Sequence, residues 1–459
     1  MSDRMEIAGV SRGLKAIGVT TFVMLPLAFP QWATVVAEAY TTYDDALNQT
    51  TVNGKITGAA MDATWETDAN AEGAPNNRAF QQDCKIIVRG ATMDASGSAQ
   101  ALADIAASQI NAQNSVALRT AALGVTVIAG RLERIRLASG LSAYGAGSAL
   151  ASSNPFGQAG GGASSDVTFG PFGGFLNGQY INGNEDNTAY QPGYDFDGWN
   201  LAGGIDYRLT DELVVGGYLQ YWNGNADFDN NQGKMDTTSW GGALYGTYFL
   251  PSGLFFDGMI GYASNDYNLN RNIVYSINGQ TAAQVAKSDP NADLWNFSLG
   301  AGYTIYRGDL SLTPLVRLTY LRNSVDSYQE HMSNPTGVGG SMAQAIGSQT
   351  YESLRSDLGF QVAKAFSTTQ GVFSPQLTFA WVREYMNDQE RVGTRFVNDI
   401  NNTPFYVLTN NPDRNYFRLG VGVAAQFAQG RSGFISYNTL LGYEGVTYNS
   451  VNAGVRIEF

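Results

Sequence analysis

From about residue 172 to the end, the chain alternates between apolar and polar positions. Trp199, Leu201, Ile205, Tyr207 and Leu209 fall on one face; Asn200, Ala202, Asp206 and Arg208 fall on the other. Phe417, Leu419, Val421, Val423 and Phe427 oppose Arg418, Gly420, Gly422 and Gln426 in the same way. A period of two marks a strand with one apolar and one polar side. Twelve such strands are expected, at 172–182, 194–209, 212–224, 235–250, 254–268, 292–306, 310–323, 350–366, 372–386, 414–428, 432–443 and 447–459. Two stretches are less clean, Leu213 to Trp222 and Leu254 to Tyr262, which carry apolar residues on both faces. In the last strand Val451, Ala453, Val455, Ile457 and Phe459 share the apolar face.

The connections alternate in length. Polar loops are expected around 183–193, 225–234, 269–291, 324–349 and 387–413, and a short connection near 443–447. At the other end the turns are tight: LTDE, PSG, RGD, STTQG and AQGRS. Long loops at one rim and short turns at the other are the asymmetry of outer-membrane barrels. Strands of 12 to 15 residues also exceed the five or six usual in a sandwich. The fold expected is an all-β membrane barrel of twelve antiparallel transmembrane strands, apolar faces to lipid and polar faces to the lumen. Trp199, Tyr207, Tyr221, Trp240 and Tyr248 would form interfacial girdles. The apolar face ending in Phe459 is expected to be read by the outer-membrane assembly machinery.

Upstream the period changes to 3.6. Leu118, Val125 and Leu132 are seven apart, as are Ala121, Ile128 and Ile135, which predicts an amphipathic helix within 99–138. Arg131, Arg134 and Arg136 lie in its last turns, where cations suit the helix dipole. Residues 40–98 are polar and poor in large apolar groups; a loosely ordered, passenger-like segment is expected, with a lone strand around Cys84. A Gly/Ser/Ala-rich linker occupies 139–171, and the barrel follows over 172–459. In residues 1–39, Arg4, Arg12 and Lys15 precede the apolar run Ala16 to Phe29, and Ala37-Glu38-Ala39 offers a cleavage site. A cleaved signal peptide is favoured over a membrane anchor.

Composition narrows the chemistry. With 27 basic and 40 acidic residues, a formal net charge of −13, nucleic acid is not an expected partner. Charged residues are only 15 %, while aromatics reach 12 %, which fits a surface that is partly not wet. One cysteine excludes an intrachain disulfide and a cysteine-based zinc site. His331 is the one histidine, with Glu330 and Ser333 beside it; a solvated loop histidine is favoured over catalysis. Glu185/Asp186 and Asp227/Asp229 could bind calcium weakly, but solvated charge is the default. The tripeptide Arg307-Gly308-Asp309 falls in a short turn, away from the long-loop rim. No cofactor, metal or catalytic site is expected.

The segments YESLRSDLGFQVA, FSPQLTFAWVREYMND, RNYFRLGVGVAAQFAQGRSGFISYNTLLG and YNSVNAGVRIEF, in this order, resemble the closing strands of the β-domain of type V autotransporters. The helix ending in RLERIR resembles that family's luminal helix, so the resemblance covers about 110 to 459. It implies a monomeric barrel plugged by the helix, an upstream segment outside the cell, and assembly by the barrel-insertion machinery with periplasmic chaperones. Arg119, Arg131, Arg134 and Arg136 would then need partners on inward faces, for which Asp206, Asp357 and Glu384 are candidates. Paired asparagines that mark helix cleavage in some members are not found. The long linker leaves the helix free to fill the lumen or lie beneath the pore, and a heptad seam fits a polar lumen poorly. A self-associating helix of the trimeric class would satisfy the seam, but twelve strands in one chain argue against it. The expected function is an outer-membrane protein that inserts as a barrel and translocates or displays its N-terminal segment. The alternatives are a porin-like channel, a structural or adhesive surface protein, and a barrel hydrolase using His331.

Overall fold

Period-two alternation and tight turns fold the C-terminal half into one closed ring. The computed structural model describes residues 44–68, 75–143, 171–386, 388–411, 413–427 and 430–458. The signal segment, most of the linker and Phe459 lie outside the described residues, as do the side chains of Arg119 and Arg134.

Twelve antiparallel strands form the barrel: β1 (Phe172–Glu185), β2 (Tyr194–Arg208), β3 (Leu213–Phe228), β4 (Gly233–Phe249), β5 (Leu254–Ile277) and β6 (Asn291–Tyr303), then β7 (Leu310–Val325), β8 (Gln349–Lys364), β9 (Gly371–Glu384), β10 (Asn415–Phe427), β11 (Arg431–Leu441) and β12 (Val446–Glu458). Each pairs with its sequence neighbours, and β1 closes on β12 through the register Gly173↔Glu458 to Glu185↔Val446. Among the described residues every strand of the ring has a neighbour on both sides, which removes the edges that a chain of this composition would otherwise expose.

The faces are the inverse of a water-soluble sheet. Leu219 is 72 % exposed, Leu244 68 % and Leu299 68 %, while Asn200, Gln220, Ser239 and Asn296 are buried inside. Only a non-aqueous surround makes that arrangement favourable, because the apolar band would cost about 25 cal/mol per Å² in water. Aromatic rings cluster towards the rims. Trp199, Tyr221 and Trp240 pack tilted against one another in succession at 5.3 and 4.7 Å on the long-loop side, and Phe172 meets Tyr207 at 4.8 Å on the short-turn side. On β12, Val451, Ala453, Val455 and Ile457 are exposed, and Asn452 faces in.

Several expectations need correction. The segment read as a 269–291 loop is mostly strand. β5 runs 24 residues and pairs with Gln280–Ser288 through Asn278 and Gly279, whose φ values of 50° and 78° are those of a type I′ turn. The segment read as loosely ordered is helical: α1 (Asp44–Gln49), α2 (Val52–Asp68), α3 (Pro75–Gly90) and α4 (Ala95–Ile105). Cys84 lies on α3, fully buried, and not on a strand. On α3 the buried positions are 77, 80, 83, 84, 87, 88 and, at its end, 90; the first six keep a helical spacing that the run KIIV obscures. The four helices complete their core with the loops: Phe80 meets Phe396 at 5.0 Å, and Leu102 and Ile105 pack with Ile273, Tyr275 and Ile277 of the β5 hairpin. A segment poor in apolar residues thus completes its core with the β5 hairpin and the loops of the long-loop rim.

The fifth helix, α5 (Ile110–Ala143), is longer than expected and begins after a break at residues 106–109. Its 34 residues correspond to about 51 Å at 1.5 Å per residue, enough to run through the barrel. Ile110 packs against Ile346, Val392 and Val407 of the long-loop end. Val125, Ile128, Leu132 and Ile135 pack deeper, against Val214, Tyr218, Tyr245 and Met259.

Candidate functional site

The lumen is where the sequence concentrates buried charge. Alternation on β2, β5, β7 and β12 turns Asp206, Asp257, Arg317 and Arg456 inward, while α5 brings Arg131 and Arg136 to meet them. Arg131 Nε donates to Asp206 Oδ2 at 3.0 Å, and its Nη2 donates to the same oxygen. Asp206 Oδ1 also faces Arg456 Nη2 at 3.4 Å. Arg136 Nη1 pairs with Asp257 Oδ1 at 2.5 Å, and Asp257 Oδ2 takes Arg317 Nη2 at 3.2 Å. The two clamps have one design: a wall carboxylate shared between a helix arginine and a wall arginine two strands away.

Each clamp crosses an intervening strand at a glycine. A Cβ on Gly173 of β1 would lie 2.8 Å from Arg456 Nη2 and 2.9 Å from Asp206 Oδ1. A Cβ on Gly300 of β6 would lie 3.4 Å from both Arg317 Nη2 and Asp257 Cβ. Both clamps sit near the short-turn rim, since Asp206 ends β2 and Asp257 begins β5. Each helix guanidinium lies over a ring as well as being paired: Arg136 is 3.7 Å from the Phe255 ring centroid and Arg131 5.3 Å from that of Phe175.

Of the three carboxylates singled out from sequence, the fold brings Asp206 to a helix arginine. Asp357 pairs with Arg418 of the wall at 3.0 Å, and Glu384 accepts from Ser353 Oγ at 2.9 Å. Asp257, the partner of Arg136, was missed because it falls in a stretch apolar on both faces, where the inward side is hard to assign. Helix and far wall also meet through Gln361 Nε2, which donates to Glu133 Oε1. The same two-faced stretches answer the difficulty of the heptad seam: Val214, Tyr218 and Met259 give it an apolar counter-surface inside the lumen.

Beside the first turns of α5, against β8 to β12, a cavity of about 420 Å³ stays open, lined by Asn111, Glu185, Arg355, Glu384, Tyr416 and Arg418. Glu185 is committed to the loops, accepting from Gln191 Nε2 at 2.5 Å and Tyr194 Oη at 2.8 Å. Asp229 accepts from Asn187 Nδ2 at 3.2 Å. Among the described residues no group of three or more His, Cys, Asp or Glu is placed to hold a metal ion.

At the long-loop end a second buried network joins helices α1–α4, the cap, to the barrel. Arg271, fully buried on the β5 extension, donates from Nε and Nη2 to Glu330 at 2.9 and 2.5 Å. Its Nη1 donates to the carbonyls of Asp104 and Ile105, at 2.7 and 2.8 Å, and so caps the C-terminal end of α4. Gln344 Nε2 donates to Ile105 O at 2.7 Å, and its backbone N–H donates to Glu330 at 2.9 Å. Asn53 mimics a strand partner of Leu408, accepting from its N–H at 2.8 Å and donating to its carbonyl at 3.0 Å. Burial raises the Asp104 carboxyl to about 6, against hydrogen bonds from Val274, Gln232 and Gln100 that favour its charged form. Asp83 is raised by the same cause.

The residues around His331 are occupied structurally. Glu330 is the partner of Arg271, while Ser333 Oγ accepts from Val285 N at 2.9 Å and donates to Gln284 Oε1 at 3.1 Å. His331 itself pairs with Lys287 in a two-residue strand at the hairpin edge.

A family model, the autotransporter beta-domain, matches residues 174–438. The chain is 26 % identical over 284 residues to YaiT of Escherichia coli (strain K12), covering 60 % of this chain and 26 % of that protein. It is 29 % identical over 176 residues to Esterase EstA of Pseudomonas aeruginosa, covering 38 % and 26 %. The chain thus spans about a quarter (26 %) of the length of these curated relatives. Among solved structures, the translocator domain of autotransporter NalP from Neisseria meningitidis superimposes with a TM-score of 0.51 at 16 % identity, covering 75 % of this chain and 99 % of that one.

Proposed function

This chain belongs to the autotransporter β-domain family, and we propose that its outer-membrane barrel carries residues 44–105 to the outer face and holds them there as a folded cap. One observation carries the reading. The chain leaves the cap at the long-loop rim, descends the lumen as α5 to the clamps near the short-turn rim, and enters β1 from that rim. A cap outside requires passage of the upstream segment through or with the barrel.

The physics of the cap supplies a direction. Residues 44–105 bury a core only with the β5 hairpin and the outer loops, so they stay extended until they emerge and then fold against that rim. Docking there opposes return, and the Arg131 and Arg136 clamps fix the helix that follows. This account requires no nucleotide. We further propose that Val451, Ala453, Val455, Ile457 and Phe459 address the chain to the barrel-assembly machinery, with periplasmic chaperones delivering it.

The cavity beside α5 favours a second reading, a channel, which predicts steady ion conductance by the purified protein in planar bilayers. EstA is named as an esterase, yet Ser333 and Glu330 are engaged away from His331; translocation without hydrolysis is the reading proposed. To test it, an epitope placed after Tyr43 is exposed to protease on intact cells. Loss of the tag with an intact periplasmic marker supports display; protection until permeabilisation refutes it.

A further inference from the structure

We propose that the outward face of α3 is a docking surface for an acidic polysaccharide. On this helix Arg78, Gln82, Lys85 and Arg89 are exposed, at spacings of four, three and four residues, which puts them on one side. The one acidic residue of α3, Asp83, is turned inward and consumed there: it accepts from Gly339 N at 2.9 Å, Ser341 N at 3.2 Å and Ser341 Oγ at 2.6 Å. The four exposed side chains described on α3 are thus three cations and one amide, on a chain of net charge −13.

Packing fixes where the stripe points. Gly90, at the end of α3, sits so close to the β5 hairpin that a Cβ would lie 2.3 Å from Ile277 Cγ2. Ile277 is the last residue of β5 before the turn, so α3 rides on the tip of the protruding hairpin, far from the aromatic girdle. Its exposed side therefore meets soluble polymer and not the bilayer.

Charge density selects the polymer. Arg78 to Arg89 spans 11 residues, roughly 16 Å, so three cations are spread at about one per 5 to 8 Å. Duplex DNA carries one charge per about 1.7 Å, and single strands are gripped through aromatic stacking. The exposed side chain between Arg78 and Lys85 is Gln82, an amide able to donate to and accept from sugar hydroxyls. A sparsely charged, hydroxyl-rich chain such as a polyuronate matches both features.

The inference goes beyond display; its measurement uses purified full-length protein and does not depend on which side of the membrane the cap occupies. Binding to immobilised polygalacturonate is compared with neutral dextran. The parent protein is expected to bind polygalacturonate and lose roughly 20- to 40-fold in affinity between 50 and 200 mM salt, as three released counterions require. The variant Arg78→Glu/Lys85→Glu/Arg89→Glu is expected to lose more than tenfold at low salt. Lys234→Glu, on the barrel wall, is expected to change nothing. Protease resistance of residues 44–105 checks that the triple variant keeps its cap. Equal retention on dextran, unchanged binding by the folded triple variant, or tighter binding to single-stranded DNA than to polygalacturonate would each overturn the proposal.

Discussion

Arg271→Ala is the sharpest perturbation of the cap. It removes four hydrogen bonds at once: two to Glu330 and one each to the carbonyls of Asp104 and Ile105. Ile105 O keeps the Gln344 amide, and Glu330 keeps one backbone N–H, so neither group is wholly stranded. Glu330 nonetheless remains buried without its counter-charge, and losing one partner of a buried pair costs about 3–5 kcal/mol. Taking ~4 kcal/mol, the population of undocked cap rises about 10³-fold, since 1.4 kcal/mol is tenfold. Native-state proteolysis reads that population when reclosing outpaces cleavage. Cleavage within residues 44–105 should therefore accelerate by two to three orders of magnitude, while the barrel keeps its compact, unheated gel mobility. Replacing both charges, Arg271→Met with Glu330→Leu, should recover most of the loss, because no buried charge is then left alone. Cleavage of Arg271→Ala within threefold of the parent rate would refute the network's role in holding the cap.

Other outcomes follow from the same geometry. Asp206→Ala leaves Arg131 and Arg456 facing each other without their carboxylate, and should lower the barrel's thermal unfolding temperature and produce intermittent conductance in planar bilayers. Gly90→Ala drives a methyl into Ile277 and should loosen the cap by about 1–3 kcal/mol, read by hydrogen exchange across α3 and α4. Cap docking should depend on pH through Asp104, whose carboxyl is raised from 3.8 to about 6 in the docked state. The docked state then binds the proton more tightly, so this contribution is full below about pH 4 and is lost as pH rises through about 6. Exchange protection of the cap should be higher at pH 5 than at pH 7.5 after correction for intrinsic rates, and Asp104→Asn should flatten the difference.

The barrel was legible because a closed membrane sheet imposes its period on every strand: Trp199 to Leu209 and Phe417 to Phe427 cannot alternate as they do in any other register. The hairpin beyond residue 268 was legible in principle, since Asn278-Gly279 between alternating residues is a strong type I′ signal, but polarity around it read as loop. The cap was not legible from composition. Its helices are rich in Ala and Asp, and the surface that completes their core, Ile273, Phe396 and Phe405, lies more than 160 residues away in sequence. The helix seam was visible without its partner; that partner, Val214 to Met259, was visible as strands apolar on both sides. Joining the two observations would have put the helix in the lumen.

Display as proposed requires cap and short turns to lie on opposite sides of the outer membrane. Single cysteines at exposed Ser96 and at Asp211, in the β2–β3 turn, test it with a membrane-impermeant maleimide, because native Cys84 is fully buried. Ser96→Cys is expected to be labelled on intact cells, and Asp211→Cys only after the outer membrane is permeabilised. Labelling of Asp211→Cys on intact cells with protection of Ser96→Cys would contradict it.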